Sequence, residues 1–220
     1  MTKKERVKGV LEHLDIHYPI DGKCYLDYEK PYELMIATIL SAQCTDERVN
    51  LVTANLFKKY PSLNAFAEAD LSEMERDVKS TGFYRNKAKH IVEASAALLK
   101  VHGGEMPSDI DELTKLAGVG RKTANVIRSH IFKIPCIVVD THVKRISNKL
   151  GFTKNTDPDK IEQDLMKVLP KAKWIDYNTQ IIAHGRAICK APTAKCEECF
   201  MTHLCRFYSS SDTKTLDKRY

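Results

Sequence analysis

Lys122, Asp140 and a run of four cysteines are the residues whose types and spacing could do chemistry. Lys122 lies in "LAGVGRKTAN", residues 116–125, directly after two glycines. An amine in the first turn of a helix sits against the positive end of the helix dipole, which disfavours its protonated form. Partial burial would add to that effect. A neutral lysine is a nucleophile able to form a Schiff base with a carbon at the aldehyde level. A surface lysine that contacts a phosphate fits the same position. Asp140 ends an apolar stretch in "CIVVDTHVKR" and precedes a helical pattern. It reads as a helix N-cap and also as a carboxylate held at the mouth of a cleft, where it would stabilise developing positive charge. The two roles are compatible, because a capping aspartate is rigid.

Of seven cysteines, Cys24, Cys44 and Cys136 are isolated, whereas Cys189, Cys196, Cys199 and Cys205 fall within seventeen residues. An odd total with one tight cluster argues against a disulfide framework and for a metal site in a reducing compartment. Zinc is the simplest occupant of four thiolates, but only Cys196 and Cys199 form a CxxC knuckle.

Gly118 and Gly120 stand between two short helical patterns. Glycine there lets two helices meet across a very tight turn. Outward-pointing N–H groups of the turn join the positive end of the following helix to make an anion site. With Arg121 and Lys122 alongside, a nucleic-acid phosphate is the natural guest. A plain structural corner is the alternative.

The elements that must position these groups are almost entirely helical. Pro31 opens an apolar helix in "KPYELMIATILSAQ", and Val49, Val52 and Leu56 define the next one, which stops before Pro61. Asp70 and Glu73 have capping-box spacing. Ile91, Val92, Ser95, Leu98 and Leu99 share one face of a helix that stops at Gly103 and Gly104. Ser108 and Asp111 open a short helix ending near Leu116, and a second runs from about Gly120 to Lys133. Asp157 caps a helix with Pro158 in its first position and Pro170 beyond its end. A last helix spans roughly Trp174 to Ile188. "IPCIVVD" has no alternation and no partner strand and reads as an extended connector. "MTKKERVKGVLEHL" reads as an amphipathic helix, and the tail "SSSDTKTLDKRY" as frayed.

The chain has 220 residues, 43% of them hydrophobic and 29% charged, enough for one large domain or two small lobes. No apolar run approaches the roughly 18 residues needed to span a membrane, and the N-terminus lacks the apolar core of a secretory signal. Both point to an intracellular protein. A net charge of +6 permits a polyanionic partner without proving one.

Taken together, "LAGVGRKTANVI", the eighteen-residue step from Lys122 to Asp140 in "VVDTHVKR", and the 6-2-5 cysteine spacing resemble the endonuclease III family of helix-hairpin-helix DNA glycosylases. The resemblance covers about residues 25–206, with three motifs in the family's order. Ala117 stands where the family's hairpin often has proline. The resemblance implies an all-α, two-lobed fold with a C-terminal [4Fe–4S] loop. A six-helix lobe of residues 25–134 would carry the hairpin. A discontinuous lobe of 1–24 and 135–220 would carry the cluster, with the active cleft between the lobes.

By the same resemblance, Lys122 is the catalytic nucleophile and Asp140 the catalytic carboxylate. Cys189, Cys196, Cys199 and Cys205 hold a [4Fe–4S] cluster that looks structural. The hairpin residues Gly118, Val119, Gly120 and Arg121 bind DNA. Lys190 and Lys195 of the "KAPTAK" loop reach phosphates, unless they are plain surface charge. A glycosylase must extrude its target nucleotide and fill the gap left in the stack. Gln43 in "SAQCTD" and Phe83 in "GFYRNKA" resemble the filling residues, with Phe83 where the family commonly has leucine. The bland alternatives are a polar helix end for Gln43 and a core residue for Phe83. The implied function is that of a bifunctional DNA glycosylase and AP lyase, which excises oxidised pyrimidines from duplex DNA in base excision repair. It would work as a monomer in the bacterial cytoplasm, associated with the nucleoid. Monofunctional adenine or mismatch glycosylases of the superfamily lack the lysine. A non-catalytic DNA-binding or iron–sulfur module would be favoured by the absence of both Lys122 and Asp140.

Overall fold

The computed structural model describes residues 1–20 and 24–209; the expectation of a frayed tail lies almost wholly outside them. The helices in chain order are α1 (Lys3–His17), α2 (Pro31–Leu40), α3 (Asp46–Lys59), α4 (Leu63–Ala67), α5 (Leu71–Val78) and α6 (Tyr84–His102). They continue with α7 (Ile110–Thr114), α8 (Arg121–Ile131), α9 (Thr141–Leu150), α10 (Pro158–Val168), α11 (Trp174–Ala187) and α12 (Arg206–Ser209). Short 3-10 turns join several of them, and there is no strand among the described residues. No helix among the described residues is long and apolar enough to cross a membrane. The chain divides into two compact units, one of Cys24–Ile134 and one of Met1–Lys23 with Pro135–Tyr220.

The continuous unit is built around α2. Its sequence is apolar on all sides, so it can be stable only as a central element, and Glu33 through Leu40 are all buried. Helices α3, α6 and α8 pack on it. The Glu33 carboxylate accepts the N–H groups of Glu29 and Lys30 at 2.7 and 3.0 Å, supplying the cap that lysine cannot. The long helix α6 carries α4 and α5 on its flank. It ends as its glycines require: Gly103 is left-handed, its N–H reaches Leu99 O at 3.1 Å, and Gly104 N–H reaches Leu98 O at 3.0 Å. Phe66, Met74, Ile91, Leu98 and Leu113 are among the fully buried side chains of this unit.

Two local expectations change. The short helix α7 is capped by Asp109, not Ser108: Asp109 Oδ1 accepts the N–H groups of Asp111 and Glu112 at 2.9 and 3.1 Å. A carboxylate is the stronger acceptor for the positive end of a helix, and Ser108 instead gives its carbonyl to Arg128 Nε at 3.2 Å. At α5, Asp70 Oδ1 takes the Glu73 N–H at 2.9 Å. The Glu73 carboxylate pairs with Lys59 at 2.8 Å, so it does not return to the cap.

The discontinuous unit joins α1 to α9–α12. Val10 and Leu14 of α1 share a core with Ile137, Val143, Ile146, Phe152, Ile161, Leu165, Tyr177 and Ile181. Helix α11 contacts both α1 and α9. The Tyr177 hydroxyl, fully buried, is satisfied by Ser147 Oγ at 2.9 Å. Residues 134–140 form the expected extended connector, following Lys133 at φ +53°, and Asn178 Nδ2 holds it by donating to Val138 O at 2.8 Å.

Candidate active site and nucleic-acid interface

In the continuous unit, α7 ends in a tight turn in which the Val119 N–H bonds Leu116 O at 3.0 Å. Gly118 adopts φ +73°, and a Cβ there would lie 2.9 Å from the Cβ and Nδ1 of His90 on α6. Glycine is therefore required twice over, by backbone angle and by space. Gly120 is different. It is the N-cap of α8 with ordinary angles (φ −85°, ψ 177°) and offers no side-chain cap, and a methyl group added to it would meet nothing within 4 Å. The positive end of α8 thus opens beside Gly120, with Arg121 and Lys122 exposed in its first turn. Lys122 is not partly buried in this unit. The Val119 side chain is buried in the core, and its N–H is already spent on Leu116.

Two further loops of this unit carry strained residues. Gln43, in the turn after α2, has φ +53°, and Phe83, immediately before α6, has φ +47°. Both side chains are exposed, Phe83 to 67%. A large aromatic held in left-handed backbone and presented to solvent is not a core residue, which removes the bland alternative for Phe83. Each such position costs about 1–2 kcal/mol for a residue with a Cβ.

In the discontinuous unit, Asp140 is the N-cap of α9. Its Oδ1 accepts the Val143 N–H at 2.7 Å, and its Oδ2 contacts His142 Nδ1 at 3.1 Å. A carboxylate only accepts, so Nδ1 carries the proton that it donates. Both oxygens are therefore fixed, and the carboxylate has one orientation. His142 in turn lies hard against α11 at Gly185, where an added Cβ would collide with His142 Cδ2. The sequence alone singles out neither His142 nor Gly185. His142 stands inside "VVDTHVKR" without a signal of its own, and a glycine in a helix interior is itself a sign of close packing.

The four clustered cysteines are all free thiols of intermediate burial. Burial pushes the thiols of Cys189, Cys196 and Cys199 up, and the neighbouring cysteines add to this, while Lys149 opposes it at Cys189 and Cys196. Among the described residues no group of three or more His, Cys, Asp or Glu is gathered as it stands to hold a metal ion. The donor set nevertheless fits a cationic iron–sulfur group: four soft ligands lie near enough for each charge to oppose the next, with the cations of Lys149 and Arg145 beside them. The loop is tied at its base, where the N–H groups of Lys190 and Lys195 converge on Ile188 O at 2.9 and 3.0 Å. Arg145 Nη2 donates to Cys189 O at 2.7 Å. His184 Nε2 lies 3.8 Å from Cys199 Sγ, and its Nδ1 lies 3.3 Å from the Tyr18 hydroxyl. Burial, aided by Arg145 and His17, pushes His184 down to about 4. The ring is therefore neutral near pH 7. Lys190 and Lys195 are exposed, and Lys195 is paired with Glu198 at 3.2 Å.

Residues 36–171 match the family described as HhH-GPD superfamily base excision DNA repair protein. The endonuclease III of Synechocystis sp. is 51% identical over 93% of this chain and 93% of its own length, and that of Bacillus subtilis is 43% identical over the whole of both. A solved structure of an endonuclease III–DNA covalent intermediate, trapped as an estranged-adenine complex, superposes with a TM-score of 0.89 at 44% identity. It covers 94% of this chain and 98% of that one. The chain belongs to the endonuclease III family of base excision repair DNA glycosylases and AP lyases.

Proposed function

We propose that the protein excises oxidised pyrimidines from duplex DNA and then cuts the strand, with Lys122 as nucleophile and Asp140 as electrostatic partner. The Lys122 amine attacks C1′ of the extruded nucleotide, and the glycosidic bond breaks with its electron pair leaving on the base. The amine then gives up a proton and the C1′–O4′ bond opens, O4′ taking a proton, and the iminium so formed acidifies the C2′ protons. Loss of one of them expels the 3′ phosphate by β-elimination. Asp140, held by the Val143 N–H and His142, stabilises the positive charge that develops on the sugar. The observation that carries the reading is the exposed Lys122 amine in the first turn of α8, directly beyond the open face of Gly120. A related endonuclease III was trapped covalently on DNA, and another structure is a non-covalent DNA complex.

In this reading Gly118, Gly120 and Arg121 receive a phosphate, with Val119 contributing through the turn that it closes. Gln43 and Phe83 enter the opened stack, and Lys190 and Lys195 meet the backbone. Cys189, Cys196, Cys199 and Cys205 hold a [4Fe–4S] cluster. Such a group, when bound, offers one-electron redox chemistry, but here its thiolate anchors serve to fix the 189–205 loop. The protein acts as a monomer in the bacterial cytoplasm, on nucleoid DNA.

Borohydride trapping tests this. Parent protein mixed with a duplex bearing one oxidised pyrimidine is expected to give a reducible covalent adduct. Lys122→Gln is expected to give neither adduct nor strand cleavage, because an amide is not a comparable nucleophile. Asp140→Asn should slow base release by at least ~3 kcal/mol of barrier, the cost typical of one preorganised electrostatic group. An adduct that persists in Lys122→Gln moves the nucleophile elsewhere. No adduct from the parent, on this duplex or on an abasic site, removes the lyase chemistry.

A further inference from the structure

Lys87 lies on α6 and is almost fully buried, at 4% exposure. Its Nζ donates to Leu40 O at 2.8 Å and to Thr81 O at 2.7 Å. Leu40 is the last residue of α2, three positions before Gln43, and Thr81 is two positions before Phe83. One cation therefore ties together the roots of the two loops that carry the left-handed, exposed residues Gln43 and Phe83. Burial lowers the affinity of Lys87 for its proton, so a lysine in this place carries a cost that a core leucine would not. Two features offset it. The carbonyl of Leu40 ends a helix, where partial negative charge collects and no intrahelical partner exists. The Thr81 carbonyl precedes Gly82, whose φ of +71° turns the chain away from any regular pairing.

From this we propose that Lys87 is a positioning residue for lesion extrusion. Its ammonium sets the separation of the Gln43 and Phe83 loops, so that the two side chains enter one gap in the base stack. The inference rests on the reading of Gln43 and Phe83 as stack-filling residues. Lys87 touches neither the substrate nor either filling side chain; it acts through the backbone that bears them.

The test compares two DNA probes under single-turnover conditions. One is a duplex with a central oxidised pyrimidine, which must be extruded. The other is a single-stranded oligonucleotide with an abasic site, which needs no extrusion. Lys87→Met, similar in length but without a donor, should slow the duplex reaction roughly 10- to 100-fold, the loss that follows a misplacement of about an ångström. Borohydride trapping on the single strand should stay within about twofold of the parent, since nothing there requires a wedge. In a Phe83→Ala background, Lys87→Met should add little further loss, because both act on one step. Lys87→Gln, which keeps N–H donors on a shorter stem, gives the same comparison if the methionine variant does not fold. Equal losses on both probes would mean that Lys87 only supports the fold, and an unchanged duplex rate would overturn the proposal as directly. If Phe83→Ala and Gln43→Ala both process the duplex normally, the stack-filling reading fails, and the inference with it. If they are defective while Lys87→Met is not, this inference alone fails.

Discussion

The two hairpin glycines should respond in opposite ways to the same added methyl group. At Gly118 an alanine must hold φ +73° and place its Cβ 2.9 Å from His90. The left-handed conformation costs about 1–2 kcal/mol, and because no rotamer change moves His90 Cβ, relieving the overlap shifts the α6 backbone at a cost of about 1–3 kcal/mol. The stiffer unfolded chain returns about 0.4–1 kcal/mol. The net is a destabilisation of about 1–4.5 kcal/mol, or roughly 2–18 °C in Tm for a chain of this size. At Gly120 the backbone angles suit any residue and the methyl meets nothing within 4 Å. Alanine is a poorer N-cap than glycine by roughly 0.5–1.5 kcal/mol, and an unfolded-state gain of about 0.4–1 kcal/mol offsets much of that, so stability should stay within about 1 kcal/mol of the parent. In the proposed reading that methyl projects where a phosphate would approach the backbone. Gly120→Ala should therefore melt normally yet bind duplex DNA more weakly, irrespective of base sequence. Thermal melts followed by circular dichroism, with fluorescence anisotropy on two unrelated duplexes, measure both quantities. A Gly118→Ala protein as stable as Gly120→Ala would refute the steric reasoning. A Gly120→Ala protein that binds as tightly as the parent would show that the turn is only a corner.

The remaining predictions concern the other unit. Gly185→Ala drives a methyl into His142 and should release Asp140 Oδ2, so that base excision falls while lyase activity on a pre-formed abasic site falls less; equal losses on both substrates would count against a role for His142 in orienting the carboxylate. Purified protein should be yellow-brown with a broad absorption near ~400 nm and bound iron. One zinc and no iron on metal analysis would overturn that assignment, and Cys199→Ser should yield poorly soluble protein as the loop loses an anchor.

What is legible in the sequence is local. Pro31 and Pro158 in first helical positions, Asp157 as a cap and Gly103 as a stop all act within one turn of chain, and each helix follows them. Asp140 can be recognised as a cap for the same reason. Ser108 misleads because two capping residues stand side by side, and it is the Asp109 side chain that turns to the free N–H groups of α7. The tertiary partners are hidden. Lys87 in "RNKAKH" falls one helical turn before Ile91 on the apolar face of α6, but the carbonyls that hold it, one of them 47 residues away, cannot be read from the chain. The support of Asp140 from α11 is equally non-local, since only packing brings Gly185 to His142. The exposure of Phe83 rests on a backbone angle that aromatic residues rarely adopt, and no composition rule signals it.

The discontinuity of the second unit also bears on the order in which the molecule is made. The apolar face of α1, with Val7, Val10, Leu11 and Leu14, is completed by α11, which begins 157 residues after α1 ends. At synthesis rates of about 5–20 residues per second, that face waits roughly 8–30 s for its partner. Residues 24–134 emerge meanwhile as an uninterrupted segment with its own core and can fold before the rest exists. This helix thus leaves the ribosome before its partners and is among the last to find its place. In that interval its four apolar side chains are the surface on which a chaperone, or a misfolding neighbour, would act.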